Sequence, residues 1–307
     1  MKPGNFDILS QVGETPMLRL RKIERELGLY GKIFAKAEFL NPGGSVKDRV
    51  ANFCVLMAQN EGKLTQNNRI VEATSGNMGI SLALVGICLG YRVELFMPEN
   101  MSGERVALMR SLGARLTLTP QKEGMAGAIA QAEEASLSPD CFYVRQFENP
   151  ASVLAHRRTT GPEIYSALSG RVDVFVAGVG SGGSLSGVGE YLKEKNPEVK
   201  IVAVEPKESA VLSGFAPDVH GISGIGAGFV PKILNRNIID EVISVSSRDA
   251  FGFARLLLKK EGLIVGISSG AAVLGARILA GREENKGKNI VTILPDRAER
   301  YFSMGLL

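Results

Sequence analysis

The chain has only two histidines and three cysteines among 307 residues. His156 and His220 are too few for a histidine-centred triad or a poly-histidine metal site, so no metal is expected. Cys54, Cys88 and Cys141 lie far apart and form no C-x-x-C pair, which removes the common zinc and dithiol motifs. An odd, sparse set suits buried thiols in a reducing compartment, and the cytoplasm is the expected location. No apolar run reaches the length of a membrane span; the best, around 80–89, reads as a short buried helix. Residues 1–10 lack the apolar core of a signal peptide. The formal charge of +4 is small, and no basic run is interleaved with aromatics, so no nucleic-acid partner is expected. The slight positive balance favours anionic substrates. With histidine so scarce, lysine is the base to look for.

The hydrophobic pattern alternates between short and long apolar segments. Strand-like runs fall at 32–39, 70–73, 92–97, 115–119, 173–177, 199–205, 241–245 and 289–294. Helix-like segments fall between them at 47–61, 77–89, 102–112, 124–135, 183–195, 247–260 and 268–279. Such alternation predicts an α/β protein of mostly parallel twisted sheets flanked by helices. There is no internal repeat or low-complexity tract. The Asn149-Pro150 step is a candidate domain junction. Residues 211–230 are rich in Gly, Ser and Pro and lack periodicity, which predicts a long functional loop.

Residues 41–49 read N-P-G-G-S-V-K-D-R. The first four are turn formers, and Ser45 is a candidate N-cap, placing Lys47 in the first helical turn. The positive end of the helix dipole disfavours an ammonium there, which suits a neutral, nucleophilic amine. A solvated lysine paired with Asp48 is the competing reading.

Three glycine-containing turns follow strand-like runs. G-V-G-S-G-G at 178–183 precedes a helix and offers an anion cradle of backbone N–H groups, with Ser181 and Ser184 adding hydroxyls. The same residues satisfy G-x-G-x-x-G, and Glu205 ends the next strand where a ribose-binding acid would fall, so a dinucleotide competes with a single phosphate. T-S-G-N-M-G at 74–79 places Thr74, Ser75 and Asn77 at another helix start. These side chains suit a carboxylate, or Ser75 or Asn77 simply caps the helix. In G-I-S-S-G at 266–270, Ser268 opens a third helix, as a ligand or as an N-cap.

In this order, from V-G-E-T-P-M-L-R-L at 12–20 through G-I-G-A-G-F at 224–229 to E-R-Y-F-S at 299–303, the motifs resemble the fold type II pyridoxal-phosphate enzymes. These have the tryptophan synthase β-like fold, and the closest likeness among them is to the cysteine synthase/cystathionine β-synthase family. The resemblance implies pyridoxal 5'-phosphate as cofactor and Lys47 as its Schiff-base lysine. It implies Asn77 at the phenolic oxygen, Gly180, Ser181, Gly182, Gly183 and Ser184 as the phosphate cradle, and Ser268 at the pyridine nitrogen. Thr74, Ser75, Gly76, Met78 and Gln146 fall where the family binds the substrate carboxylate, and Gly224 to Gly228 where a loop lines the amino-acid side. A serine at 268 makes a weaker electron sink than an aspartate would, and favours prompt β-elimination.

The implied reaction is O-acetyl-L-serine plus sulfide giving L-cysteine and acetate through an aminoacrylate, with freed Lys47 as general base. Cystathionine or lanthionine synthesis and cysteine desulfhydration share that chemistry, and the sequence shows no haem-binding extension or regulatory module. A NAD-dependent dehydrogenase leaves Lys47, the 74–79 loop and Ser268 unexplained. A catalytically weak homologue acting through a partner such as serine acetyltransferase is disfavoured by Lys47. The division implied is a smaller domain over 48–149 and a larger one from 1–47 and 150–307, with the site between them in a homodimer. Two residues depart from the family pattern: Met78 stands in place of a threonine, and Arg157 in place of an aromatic. Both raise the expectation of altered substrates.

Overall fold

The computed structural model describes residues 7–307; the reading of residues 1–6 as free of a leader lies outside the described residues. The strands are β1 Met17–Arg19, β2 Lys32–Lys36, β3 Arg69–Ala73, β4 Arg92–Pro98, β5 Arg115–Thr119, β6 Cys141–Tyr143, β7 Val174–Gly178, β8 Lys200–Pro206, β9 Glu241–Val245 and β10 Asn289–Ile293. The helices are α1 Arg21–Glu26, α2 Lys47–Asn60, α3 Asn77–Leu89, α4 Gly103–Ser111, α5 Gly124–Ala135, α6 Ala151–Arg158, α7 Thr160–Ala167, α8 Gly183–Lys195, α9 Ser247–Glu261 and α10 Ile267–Ala280.

The strands form two sheets. A six-stranded sheet has the order β1-β2-β10-β7-β8-β9, and a four-stranded sheet has the order β5-β4-β3-β6. Every pairing is parallel except β1 with β2. Parallel strands need helical crossovers, and helices on both faces bury both faces of the strands. The burial pattern shows this directly. Val174, Val176, Val202 and Val204 enter one apolar core, while their neighbours Phe175, Ala177, Ile201 and Ala203 enter the core on the opposite face. The smaller sheet has its own cores, with Val93, Leu95 and Met97 of β4 on one side and Phe96 on the other.

The main alternation matches the sequence pattern, with differences that have local causes. The run at 32–39 is strand only to Lys36, because residues 38–40 turn as a 3-10 helix that places Glu38 inside. Short β1, β6 and α1 were not expected; three to six residues carry too little periodicity to read. Helices α6 and α7, also missed, meet at Thr159, whose backbone leaves the helical region. Of the three thiols only Cys54 is buried; Cys88 is exposed and Cys141 partly so, against the expectation of buried cysteines. Residues 210–235 contain no helix or strand, as the composition of 211–230 suggested.

Candidate active site

Loops after the strands of both sheets, with the starts of α2, α3, α8 and α10, enclose a cleft of about 270 Å³. Carboxyl ends of parallel strands are where open α/β sheets bind ligands. Lys47, Thr74, Ser75, Asn77, Met78, Gln146, Gly180, Ser181, Gly182, Ser184, Gly224 and Ser268 all line it. Gly76, Gly183 and Gly228 do not. Gly183 packs against the Ser152 carbonyl, and Gly228 borders a second cavity of about 570 Å³ beyond Phe147.

Lys47 is the first residue of α2, and Val46, not Ser45, occupies the cap position. The Ser45 hydroxyl still accepts the Lys47 N–H at 3.3 Å. The pairing of Lys47 with Asp48 does not occur. Asp48 accepts from the Gly43 N–H and the Ser81 hydroxyl, while Lys47 Nζ donates to Ser181 Oγ at 3.2 Å. Burial brings the Lys47 amine down to about 8, against the pull of Glu72 and Cys54 toward the charged form. The amine is therefore ready to lose its proton near neutrality.

The turn between β7 and α8 carries Gly182 at φ +86°. A Cβ on Gly180 would sit 2.3 Å from the Gly224 carbonyl oxygen, so only glycine lets the two loops meet. Among the described residues, nothing accepts from the backbone N–H groups of Gly180, Ser181, Gly182, Gly183 or Ser184. Five unpaired donors at a helix start make an anion cradle. The Ser184 hydroxyl bonds His156 Nε2 at 2.9 Å, and His156 Nδ1 meets Thr160 Oγ1 at 2.9 Å. Burial, then the Arg49 charge, push His156 down to about 3, so it stays neutral.

A second set of free donors lies at 74–79. Neither Ser75 nor Asn77 caps α3; Gly76 holds the cap position, and Thr74 Oγ1 accepts the N–H groups of Gly76 and Gly79 at 3.0 and 3.2 Å. The N–H groups of Ser75, Asn77 and Met78 find no acceptor among the described residues. Gln146 borders this loop, anchored by its N–H to Glu72 Oε2 at 3.1 Å and by its Nε2 to the Ala73 carbonyl at 2.9 Å. Asn77 Nδ2 donates to Asp296 Oδ2 at 2.6 Å, and Arg300 donates to Asn77 Oδ1. Ser268, at the second position of α10, faces the Gly224 loop and is not an N-cap; Gly266 is.

Two residues singled out in the sequence stand outside the cleft. Arg157 does not line the cleft; it is exposed and pairs with Glu194 at 2.9 Å. Glu205 is buried and accepts from Leu212 N–H and the Ser213 and Ser244 hydroxyls, so it braces the 211–213 turn and offers no ribose contact. That removes the main support for a dinucleotide.

Sequence reading missed Arg105, Tyr301, His220 and Phe147, all lining residues, and Glu72 and Asp296 behind them. E-R-Y-F-S carried Tyr301 as part of a motif, but nothing local marks the others. Arg105 is cationic, and no acid lines the cleft among the described residues. The free-donor cradle, the near-neutral amine and the hydroxyl at α10 together fit a phosphorylated aldehyde such as pyridoxal phosphate.

A family model described as pyridoxal-phosphate dependent enzyme matches residues 8–296. A cysteine synthase of Staphylococcus aureus is 46% identical over 301 residues, covering 98% of this chain and 96% of that protein. The crystal structure of a cysteine synthase from Entamoeba histolytica superposes with a TM-score of 0.95 at 43% identity, covering 99% of this chain and 91% of that one. The structure of an O-acetylserine dependent cystathionine beta-synthase from Helicobacter pylori gives 0.93 at 39% identity, with 98% of each chain covered.

Proposed function

Because the chain belongs to the pyridoxal-phosphate dependent enzymes and is similar to cysteine synthases over nearly its whole length, we propose that it converts O-acetyl-L-serine and sulfide to L-cysteine and acetate. The observation that carries this reading is the Lys47 amine, brought down to about 8, standing between two sets of unpaired backbone donors in a cleft without an acid.

Gly180 to Ser184 would hold the cofactor's phosphate, Asn77 its phenolic oxygen and Ser268 its ring nitrogen. Bound there, pyridoxal phosphate supplies an electron sink for charge released at the substrate's α-carbon. The N–H groups of Ser75, Asn77 and Met78, with Gln146, orient the substrate carboxylate. This fixes the α-hydrogen relative to Lys47. Lys47 Nζ would hold the cofactor's aldehyde carbon, and its free amine would act as the base for the substrate's α-proton. Sulfide would take the place of acetate at the β-carbon, and the Lys47 ammonium would return the proton to the α-carbon. The 220–227 loop, packed against the cradle, and Phe147 line the remaining wall of the cleft.

Adding pyridoxal phosphate to stripped protein should restore a yellow species, and borohydride should fix the cofactor to Lys47. A label on another lysine, or stabilisation by NAD alone, would refute the assignment. One observation favours a second reading. The larger cavity shares Met125, Phe147 and Ala227 with the cleft, which leaves room for a thiol bigger than sulfide. A panel of O-acetylserine, O-phosphoserine, serine and cysteine with sulfide, cysteine or homocysteine, read by product mass, separates the two. The proposal extends to a cytoplasmic homodimer that engages serine acetyltransferase, tested by size-exclusion chromatography with and without that enzyme.

A further inference from the structure

Arg105, on α4, is 3% exposed and lines the cleft. Buried arginines are ordinarily paired with an acid, because an uncompensated charge is costly to desolvate. Arg105 has none. Its sequence neighbour Glu104 is turned away to the N–H and hydroxyl of Ser303. The guanidinium donates through Nη1 to the Ser75 carbonyl at 3.1 Å and lies over the Tyr301 ring at 4.6 Å. Nε is buried and has no partner.

The 74–76 turn is shaped around this side chain. A Cβ on Gly76 would fall 2.3 Å from Arg105 Cδ, so only a glycine lets the guanidinium lie against the turn. The turn is the one that presents the unpaired N–H groups of Ser75, Asn77 and Met78. A permanent cation and three free donors thus converge on one place, and none of the described residues supplies the matching anion.

We propose that Arg105 is the residue that makes the cleft select a carboxylate on its amino-acid substrate. It supplies the counter-charge behind the 74–78 turn and acts through Ser75, without touching the reacting atoms. This rests on the reading that the cleft binds an amino acid at that turn. The missing acid is then the substrate's own carboxylate, which compensates the guanidinium when it binds. An otherwise identical ligand with a neutral amide in that place gains nothing from Arg105.

The test compares L-serine with L-serinamide, titrated calorimetrically into the holoenzyme. Wild type should bind L-serine at least about tenfold more tightly than the amide. Arg105→Met should lower L-serine affinity about tenfold and change serinamide less than about threefold. Arg105→Lys, which keeps the charge and guards against misfolding of the Met variant, should recover most of the L-serine affinity. Spectroscopic titration of cofactor binding should be unchanged in both. In turnover the Met variant should raise KM for O-acetylserine while kcat stays within about threefold. Equal losses for serine and serinamide would reduce Arg105 to a packing residue and overturn the proposal, as would a Lys variant as impaired as Met. If wild type binds neither ligand, the amino-acid reading of the cleft fails first and this assignment with it. A wild type that binds both equally overturns the assignment alone.

Discussion

Lys47 and Met78 show how a single side chain's environment sets its chemistry. Burial brings the Lys47 amine from 10.5 to about 8. The rate at which stripped protein reacts with pyridoxal phosphate should therefore climb with pH and level off a little above 8. A rate still rising steeply at pH 10, measured by stopped-flow absorbance, would place the reactive amine elsewhere. Met78 is 2% exposed and belongs to the core of the smaller sheet while also lining the cleft. Its N–H is free, so the proposed carboxylate subsite keeps a backbone donor although the hydroxyl is missing. Met78→Thr should add one charge-assisted hydrogen bond, raising kcat/KM for O-acetylserine about tenfold, and should cost about 1–3 kcal/mol of stability through lost packing. If the true substrate packs against the thioether, its own kcat/KM should fall instead. Unchanged values for every substrate would show that position 78 does not face the ligand.

At the scale of elements, the cradle depends on two backbones meeting between Gly180 and Gly224. Gly180→Ala should weaken cofactor binding at least about tenfold, because the Gly224 loop must retreat from the new Cβ. Gly252→Ala on the exposed face of α9, where a Cβ meets nothing within 4 Å, is the matched control. It should leave cofactor binding alone and stabilise the protein by about 0.5–1 kcal/mol. Spectroscopic titration and urea unfolding of both variants check the pair, and equal cofactor affinity in both would contradict the close approach. These loops were legible because glycine and turn residues act locally: each marks its bend with no knowledge of the rest of the chain. The true caps were not legible. Hydroxyls at 45, 75 and 268 look like caps in sequence, yet Val46, Gly76 and Gly266 hold those positions. Boundaries shift by a residue or two according to how each loop is held from outside.

Across the whole molecule, a buried ion cluster joins segments distant in sequence. Arg49, two residues past Lys47, pairs with Glu38 at 2.6 Å and Glu163 at 2.7 Å, and Lys36 meets Glu163 at 2.7 Å. Thr15 donates to Glu38, tying the opening segment to β2, α2 and α7. Burial opposes the Glu163 charge, but Arg49 overcomes it and holds the carboxyl at about 2. The unfolded chain therefore binds more protons between about 4.5 and 2, so this contribution is present above 4.5 and lost as pH falls toward 2. Neutral His156 acts in the same direction, its contribution fading from about 6.5 toward 3. Glu163→Gln should lower stability at neutral pH by about 3–5 kcal/mol and reduce the pH dependence between 4.5 and 2, leaving the Glu38 and His156 portions. Urea unfolding from pH 7 to 2.5 measures both; parallel curves for wild type and variant would remove Glu163 from the acid response.

The sequence by itself determined the βα alternation, the three glycine-containing turns after strands and the singular lysine at 47. Each follows from side-chain period, a missing Cβ or a local dipole, properties that need only a few neighbouring residues. Tertiary structure alone decided which of those motifs mean what. G-x-G-x-x-G loses its dinucleotide sense because Glu205 is spent on the 211–213 turn. Asn77 takes its orientation from Asp296 and Arg300, more than 200 residues away. Arg105 gains its proposed role only because Glu104 is turned to Ser303 and no acid among the described residues lines the cleft. Burial and the absence of a partner belong to the assembled fold, since they depend on what long-range packing brings to a group and what it leaves out.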